Sequence, residues 1–295
     1  MTVLVTGGTG FVGPKIVHAL RARQLPVRAL VRDSRRASRL TSWGVELATG
    51  DVTDRESLRK AVEGCDAVVH LVAIIQGRPA DFERVMTGGT EGLVAAAAEA
   101  GIRRFVLMSA LGVEERTKDA VPYYRSKWAM ERAVESSGLE HVILRPSFVF
   151  GRDGGVLPTF VRLARFSPVT PIVGPGTQRL QPIWVDDVAA YFAEAVEKPE
   201  AANRTFELGG PEIVTWDELW ARLKRVLGKR RPAVHIPFGV MRIPATLLGR
   251  LPKAPITPDQ LTMLELGDNV AADDSAQAVF DVPLVPLDDQ LRQAV

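Results

Sequence analysis

Residues 6–13 read Thr6-Gly7-Gly8-Thr9-Gly10-Phe11-Val12-Gly13, after the short apolar run Val3-Leu4-Val5 and ahead of Pro14-Lys15-Ile16-Val17-His18-Ala19-Leu20. The order is strand, glycine turn, helix. Residues without a side chain let the turn bend tightly and bring backbone N–H groups close to an anion. The helix start behind them carries roughly half a positive charge, so a pyrophosphate is the natural occupant. Glycine-rich stretches also serve as plain turns. What favours a dinucleotide site here is the agreement of spacing, preceding strand and following helix.

Val27-Arg28-Ala29-Leu30-Val31-Arg32 reads as the next strand. It ends about 20 residues beyond the glycine turn, where a dinucleotide site meets the adenosine ribose. An acidic residue at that strand end holds a free 2′-hydroxyl. This chain places Arg32 there, with Arg35, Arg36 and Arg39 close behind and Asp33 one residue late. Guanidinium forks suit a 2′-phosphate, so the reading is NADP(H) in preference to NAD(H). A solvated basic helix start is the plain alternative for Arg36 and Arg39. Val45 to Asp51 reads as a short third strand, after which Asp51 and Val52 flank the adenine edge. Asp51 has a capping alternative, because Thr53 or Asp54 opens a helix over 55–63. Asp66 to Ala73 is a continuous apolar run of the kind a central parallel strand shows. Its end, Leu71, Val72 and Ala73, is expected over the cofactor's ribose. His70 reads as a satisfied buried histidine and Cys65 as inert packing.

These runs sit in a chain of 295 residues, enough for one large α/β unit with a smaller lobe. Apolar residues make up 46% and charged residues 24%, ordinary for a globular chain with a core. Lys and Arg number 37 against 35 for Asp and Glu, and a net charge of +2 provides no nucleic-acid footprint. The lone Cys65 excludes an intramolecular disulfide, and no apolar run nears the roughly 18 residues that a membrane span needs. The expectation is a cytoplasmic protein without a nucleic-acid partner or a metal site.

An Ala-rich helix over 89–100 precedes a fifth strand, Arg104 to Ser109. Ser109 ends that strand, at the edge where open α/β sheets bind ligands. Pro122 then opens a helix in which Tyr123 and Lys127 stand four apart and share a face. An ammonium near a phenol favours the phenolate, so the expectation is a Tyr123 pKa lowered from about 10 towards the working range. Such a tyrosine passes a proton to a carbonyl or alkoxide while hydride moves to or from a nicotinamide. Tyr124 has Trp128 at the same offset and ranks second. Tyr-x-x-x-Lys also arises by chance.

Together these residues resemble the short-chain dehydrogenase/reductase superfamily in its extended and atypical branches. The resemblance is carried by Gly7-x-x-Gly10-x-x-Gly13, Ser109, Tyr123-x-x-Ser126-Lys127 with Glu131, Leu144-Arg145-Pro146-Ser147-x-x-Phe150-Gly151 and Gln181-Pro182-Ile183-Trp184-Val185-Asp186-Asp187-Val188-Ala189. Thr205 to Glu212, Thr215-Trp216-Asp217-Glu218-Leu219, Thr257-Pro258-Asp259-Gln260-Leu261 and Asp268-Asn269-Val270 further resemble bacterial relatives of the NDUFA-nine-type accessory subunit of respiratory complex I. The resemblance implies a doubly wound parallel sheet, the Rossmann fold, with a smaller C-terminal α/β lobe. It places Gly7, Thr9, Gly10, Phe11, Val12 and Gly13 at the pyrophosphate and Arg32 and Arg36 at the 2′-phosphate. Asp51 and Val52 fall at the adenine, and Leu71, Val72 and Ala73 at the ribose. Tyr123 and Lys127 fall at the nicotinamide ribose as proton relay, Pro146, Ser147 and Phe148 against the nicotinamide, and Ser109 on a substrate carbonyl. Many relatives carry an asparagine three residues before the Gly-Thr of the fourth helix. This chain has Met86 before Gly89-Thr90, a departure that touches the relay and not cofactor binding. The complex I branch is described as holding NADPH without turning it over.

Strand–helix alternation breaks after Gly151. The expected organisation is a dinucleotide-binding domain over 1–155, with return segments at about 180–210, and a substrate-side lobe over 156–295. Pro158 to Pro175 reads as a lid, Trp184 to Asp187 as the return, Asp186 and Asp187 as caps of a helix over 188–197. Thr205 to Leu208 reads as a late strand, and Thr215 as the cap of a helix over 216–227. Val234 to Leu251, apolar with Arg242 and Arg250 and broken by Pro237 and Pro244, is expected to pack within the lobe. A pocket wall, a membrane surface or a quinone tail are its alternatives. Three functions stay open: an oxidoreductase on an unidentified carbonyl, hydroxyl or quinone-like small molecule; a non-catalytic NADPH-binding accessory or sensor protein with a complex I or peripheral membrane contact; and a nucleotide-sugar epimerase or dehydratase.

Overall fold

The computed structural model describes residues 1–248 and 256–295. Its first stretch runs β1 Val3–Thr6, α1 Gly13–Ala22, β2 Val27–Val31, α2 Ser38–Thr41, β3 Glu46–Thr49, α3 Arg55–Val62, β4 Ala67–His70, α4 Pro79–Phe82, α5 Gly88–Glu99, β5 Arg104–Met108, α6 Pro122–Glu135 and β6 Glu140–Pro146. The chain continues through β7 Val149–Gly151, β8 Gly154–Gly155, α7 Leu157–Phe166, β9 Thr170–Val173, β10 Arg179–Leu180, β11 Ile183–Trp184, α8 Val185–Glu197 and β12 Arg204–Leu208. It ends with β13 Val214–Thr215, α9 Trp216–Val226, β14 Ala233–Ile236, α10 Phe238–Leu248, α11 Pro258–Glu265, α12 Ser275–Val279 and α13 Leu287–Gln293.

Met1–Pro146, Val185–Leu208 and Asp273–Pro283 form one compact unit. Its seven strands are all parallel, in the order β12-β6-β5-β4-β1-β2-β3. Parallel neighbours need helical crossovers, and those cover both faces of the sheet. Val3–Val5, Ala67–His70 and Phe105–Leu107 are accordingly sealed from solvent, which is why they read as unbroken apolar runs. Strand β1 sits between β4 and β2, so the winding reverses at β1 and β4. Their C-terminal ends bound the crevice where doubly wound sheets take ligands. This is the Rossmann arrangement, with β12 as an edge strand on β6.

Ser147–Trp184, Gly209–Ala272 and Leu284–Val295 form the second unit. Its sheets are small: β11-β7-β8, β10-β13 and β14-β9. Helix α9 starts on a reciprocal cap, in which Thr215 Oγ1 accepts from the Glu218 N–H at 3.2 Å and Glu218 Oε2 accepts from the Thr215 N–H at 2.8 Å. Thr257 and Gln260 repeat the device at α11. Phe160 packs edge-on against Trp216 and tilted against Trp220, with ring centroids 5.7 and 5.1 Å apart.

Pro158 to Pro175 holds α7 and β9, with Pro158 in the first turn of α7, where its fixed φ suits a helix start. Two sequence expectations change here. Asp186 and Asp187 do not cap a helix from 188, because α8 begins at Val185 and both lie inside its first turn, with Asp186 paired to Lys15 at 2.9 Å. Pro244 does not end its segment but lies inside α10; it leaves the Val240 carbonyl without its usual donor while the helix continues. That helix packs by one side only, with Ala245 buried and Val240, Ile243 and Leu247 58%, 65% and 73% exposed. Residues 249–251 of the Val234 to Leu251 stretch, Arg250 among them, lie outside the described residues. Among the described residues no helix is long and apolar enough to cross a membrane.

Candidate functional site

The glycine turn joins β1 to α1 as its spacing demands, and each glycine has its own reason. Gly7 has φ +76°, and a Cβ there would lie 3.1 Å from the backbone of both Leu71 and Val72. At Gly13 a Cβ would fall 2.3 Å from the Gly7 carbonyl oxygen and 2.7 Å from Gly8 backbone atoms, so only hydrogen fits. Gly10 N–H closes the turn on the Gly7 carbonyl at 3.0 Å. The helix behind it has no side-chain cap, carries Pro14 in its first turn, and has no acidic residue there. Thr9 and Gly10 are exposed, Phe11 is half-buried and Val12 buried. Uncapped amides at the positive end of a helix, beside a turn that excludes side chains, fit a pyrophosphate.

At the end of β2, Arg32 and Arg36 are exposed and have no ion-pair partner among the described residues. Their neighbours are engaged: Arg35 with Asp33 at 3.0 Å, and Arg39 over the Trp43 ring at 5.0 Å. Asp51 lies past β3. It does not cap α3, whose cap is Asp54; its Oδ1 accepts from the Thr53 N–H at 2.9 Å and the Thr53 hydroxyl at 2.8 Å. Burial works to raise the Asp51 carboxyl, but those two bonds, with the Arg32 and Arg84 charges, outweigh it and hold it below the usual carboxylate range. Val52 packs under Gly89, where a Cβ would come within 3.1 Å of it. Leu71, Val72 and Ala73 follow β4, and the Leu71 N–H donates to the Thr6 carbonyl at 3.1 Å.

The candidate catalytic residues gather on β5 and α6. Ser109 is buried, its N–H donates to the Leu144 carbonyl at 2.8 Å, and its hydroxyl has no hydrogen-bond partner among the described residues. Lys127 is buried and donates to the Met108 carbonyl at 2.5 Å; burial pulls its ammonium down to about 8 against the pull of Glu131. Its Nζ stands 5.9 Å from the centre of the Tyr123 ring. The expected lowering of the Tyr123 pKa is not found. Burial first, and Tyr124 second, push the phenol above its ordinary value, although the ring keeps some exposure. Sequence spacing brought the cation near, but burial of the phenol decides the direction of the shift.

Around this centre stand groups with structural tasks. His70 is fully buried between Thr6 and Thr90. The Thr90 hydroxyl gives its one proton to the Met86 carbonyl at 2.6 Å, so it accepts from His70 Nε2 at 3.0 Å, and His70 Nδ1 accepts from Thr6 Oγ1 at 2.6 Å. Burial and the Lys127 charge hold this imidazole neutral, with its pKa down to about 3. Met86 sits in a π-helical turn, Glu83–Thr87, between α4 and α5. Insertions of this kind recur at functional sites, and single-sequence periodicity does not show them. Glu131, one turn beyond Lys127, is fully buried and takes two bonds from Arg145, at 2.8 and 2.6 Å. Sequence reading missed this pair and the approach of Arg84 to Asp51. Both depend on contacts remote in sequence. Pro146 ends β6 and accepts the Leu111 N–H at 3.0 Å. Ser147 and Phe148 open the second unit: Ser147 Oγ donates to the Gln181 carbonyl, and Phe148 stands edge-on to Trp216 at 5.5 Å.

Comparison with known proteins gives a consistent picture. Residues 7–199 match the family model described as NAD(P)H-binding. The rat protein named NADH dehydrogenase [ubiquinone] 1 alpha subcomplex subunit 9, mitochondrial, is 30% identical over 91% of this chain and 73% of its own length. The NAD(P)H azoreductase of Xenophilus azovorans is 27% identical over 84% of this chain and 80% of its own length. Among solved structures, an NADPH-dependent quinone oxidoreductase from Escherichia coli, complexed with NADPH, superposes with a TM-score of 0.80 at 18% identity, over 98% of each chain; this likeness concerns the fold.

Proposed function

This chain belongs to the NAD(P)H-binding family, within the short-chain dehydrogenase/reductase superfamily, and on that premise we propose that it is an NADP(H)-dependent oxidoreductase that reduces a carbonyl or quinone-like acceptor. The observation that carries this reading lies at the end of β5. The Ser109 hydroxyl is buried without a partner, one residue past the carbonyl that holds the Lys127 ammonium. A buried hydroxyl left unpaired is costly, and a substrate oxygen would satisfy it.

In this reading the glycine turn and the start of α1 hold the pyrophosphate, Arg32 and Arg36 the 2′-phosphate, Asp51 and Val52 the adenine, and Leu71 to Ala73 the ribose. Bound reduced nicotinamide supplies hydride. Ser109 Oγ donates a hydrogen bond to the acceptor oxygen. The Tyr123 hydroxyl, kept protonated by burial, is the proton donor to that oxygen, and the Lys127 charge steadies the phenolate left behind. A phenol held protonated suits reduction. The name of the azoreductase relative supports a flat conjugated acceptor.

A second reading, an accessory protein that holds NADPH without turnover, is favoured by the similarity to a complex I subunit and by Met86 where many relatives have asparagine. One experiment separates the two. NADPH oxidation is followed against a panel of carbonyl, quinone and azo acceptors. The enzyme reading expects turnover that Tyr123→Phe lowers by ~10²-fold or more with little change in the Kd for NADPH. Absent turnover, with cofactor retained through purification and weakened by Tyr123→Phe, would establish the accessory reading instead.

A further inference from the structure

Asp33 directly follows the strand-end residue whose side chain selects the adenosine ribose substituent. A carboxylate there accepts from a 2′-hydroxyl and repels a 2′-phosphate. In this chain both of its oxygens are already engaged by one residue. Asp33 Oδ1 accepts from the backbone N–H of Arg35 and from its Nε, each at 3.0 Å, and Oδ2 accepts from Arg35 Nη2 at 3.1 Å. The backbone cooperates: Asp33 is extended, with φ −140° and ψ 109°, and caps the 3₁₀ turn Ser34–Ala37. Its carboxyl accordingly lies below the usual range, first through the Arg35 side chain and then through its backbone N–H.

We propose that Arg35 determines cofactor specificity by occupying both oxygens of Asp33, leaving Arg32 and Arg36 to face a phosphate ester without competition from the Asp33 carboxylate. The inference rests on the NADP(H) reading above and deepens it. An exposed pair of this kind adds little to stability. Its consequence lies in what Asp33 remains able to accept. The planar guanidinium matches a carboxylate at two points, whereas a lysine ammonium is a single charged point and does not hold both oxygens together. Arg35 touches no ribose in this account; it is a positioning residue that acts through Asp33.

The test is a set of Kd values for NADPH and NADH on the purified full chain. Arg35→Ala is expected to lower the NADPH-over-NADH preference about tenfold, by weakening NADPH and strengthening NADH together. Adding Asp33→Asn to Arg35→Ala is expected to restore most of the preference for NADPH, since the neutral amide no longer repels phosphate. Arg39→Ala removes the same charge four residues on and is expected to shift the ratio less than twofold. Arg32→Ala checks the underlying reading and lowers the ratio whatever stands at position 33. If Arg35→Ala leaves the ratio unchanged while Arg32→Ala lowers it, the Asp33 mechanism is wrong and the NADP(H) reading survives. If Arg39→Ala matches Arg35→Ala, the effect is bulk charge; if Asp33→Asn brings no rescue, Arg35 does not act through Asp33; either result overturns the proposal. If neither Arg32→Ala nor Arg35→Ala moves the ratio, the NADP(H) reading falls with it.

Discussion

Among the described residues, the large apolar side chains that stand exposed are Met1 and Ile75 in the seven-stranded unit and eight in the second unit, with Phe166 and Leu247 both 73% exposed. The first unit is built on parallel strands of four to seven residues whose helical crossovers cover both sheet faces. Apolar residues in it have nowhere to be but inside. The second unit is built on strands of two to four residues and on helices such as α10 that pack by one side. Short strands carry too little period to read, and its order comes from reciprocal caps, first-turn prolines and edge-on aromatic contacts. The uncapped α1, the Ser109 hydroxyl and the Tyr123–Lys127 neighbours all belong to the seven-stranded unit.

Substitutions can break this contrast. The largest effect is expected at Gly13→Val, whose side chain has backbone atoms 2.3 to 2.7 Å from its Cβ. It should lower stability by more than ~4 kcal/mol and abolish nucleotide binding, measured by denaturant unfolding and by NADPH titration. Phe105→Ala, in the middle of β5, should cost about 3–5 kcal/mol in the same unfolding experiment. Ile243→Ser, on the open side of α10, should stay within ~0.5 kcal/mol. Comparable losses at the two positions would mean that the α10 face is covered in solution.

Proton linkage gives the most local readout. His70 is neutral in the fold down to about pH 3, whereas an unfolded imidazole protonates near 6.5. Stability should therefore fall as pH drops from about 6.5 towards 3, and His70→Asn should flatten that slope. Lys127 runs in the other direction. Its folded pKa of about 8 lies below the ordinary 10.5, so stability should rise as pH climbs through that interval, and Lys127→Met should remove the rise. Urea unfolding at stepped pH checks both. A Lys127 slope of opposite sign would show an ammonium better compensated than its Met108 carbonyl contact provides.

Much of the fold was legible because its signals are local. A glycine turn between an apolar run and a helix start, and four more apolar runs at crossover distance, leave few arrangements other than a doubly wound parallel sheet. Thr215 announced its helix, because a cap and its Glu218 partner are three residues apart. The misreadings came where one residue type has two uses. Proline starts α7 at Pro158 and is tolerated inside α10 at Pro244, yet in sequence each looks like a break. The acidic pair 186–187 looked like a cap because the helix boundary at Val185 has no mark of its own.

Sequence alone therefore determined the order of elements, the glycine turn between β1 and α1 and the company of Tyr123 with Lys127 on one helix face. These depend on steric rules and on spacings of three to seven residues. Only the tertiary structure decided in which protonation state those groups stand, that Ser109 is left without a partner among the described residues, and that Arg145 reaches Glu131. Ionisation and hydrogen bonding answer to solvent exclusion and to neighbours in space. Both arise when strands far apart in sequence close over the same few side chains.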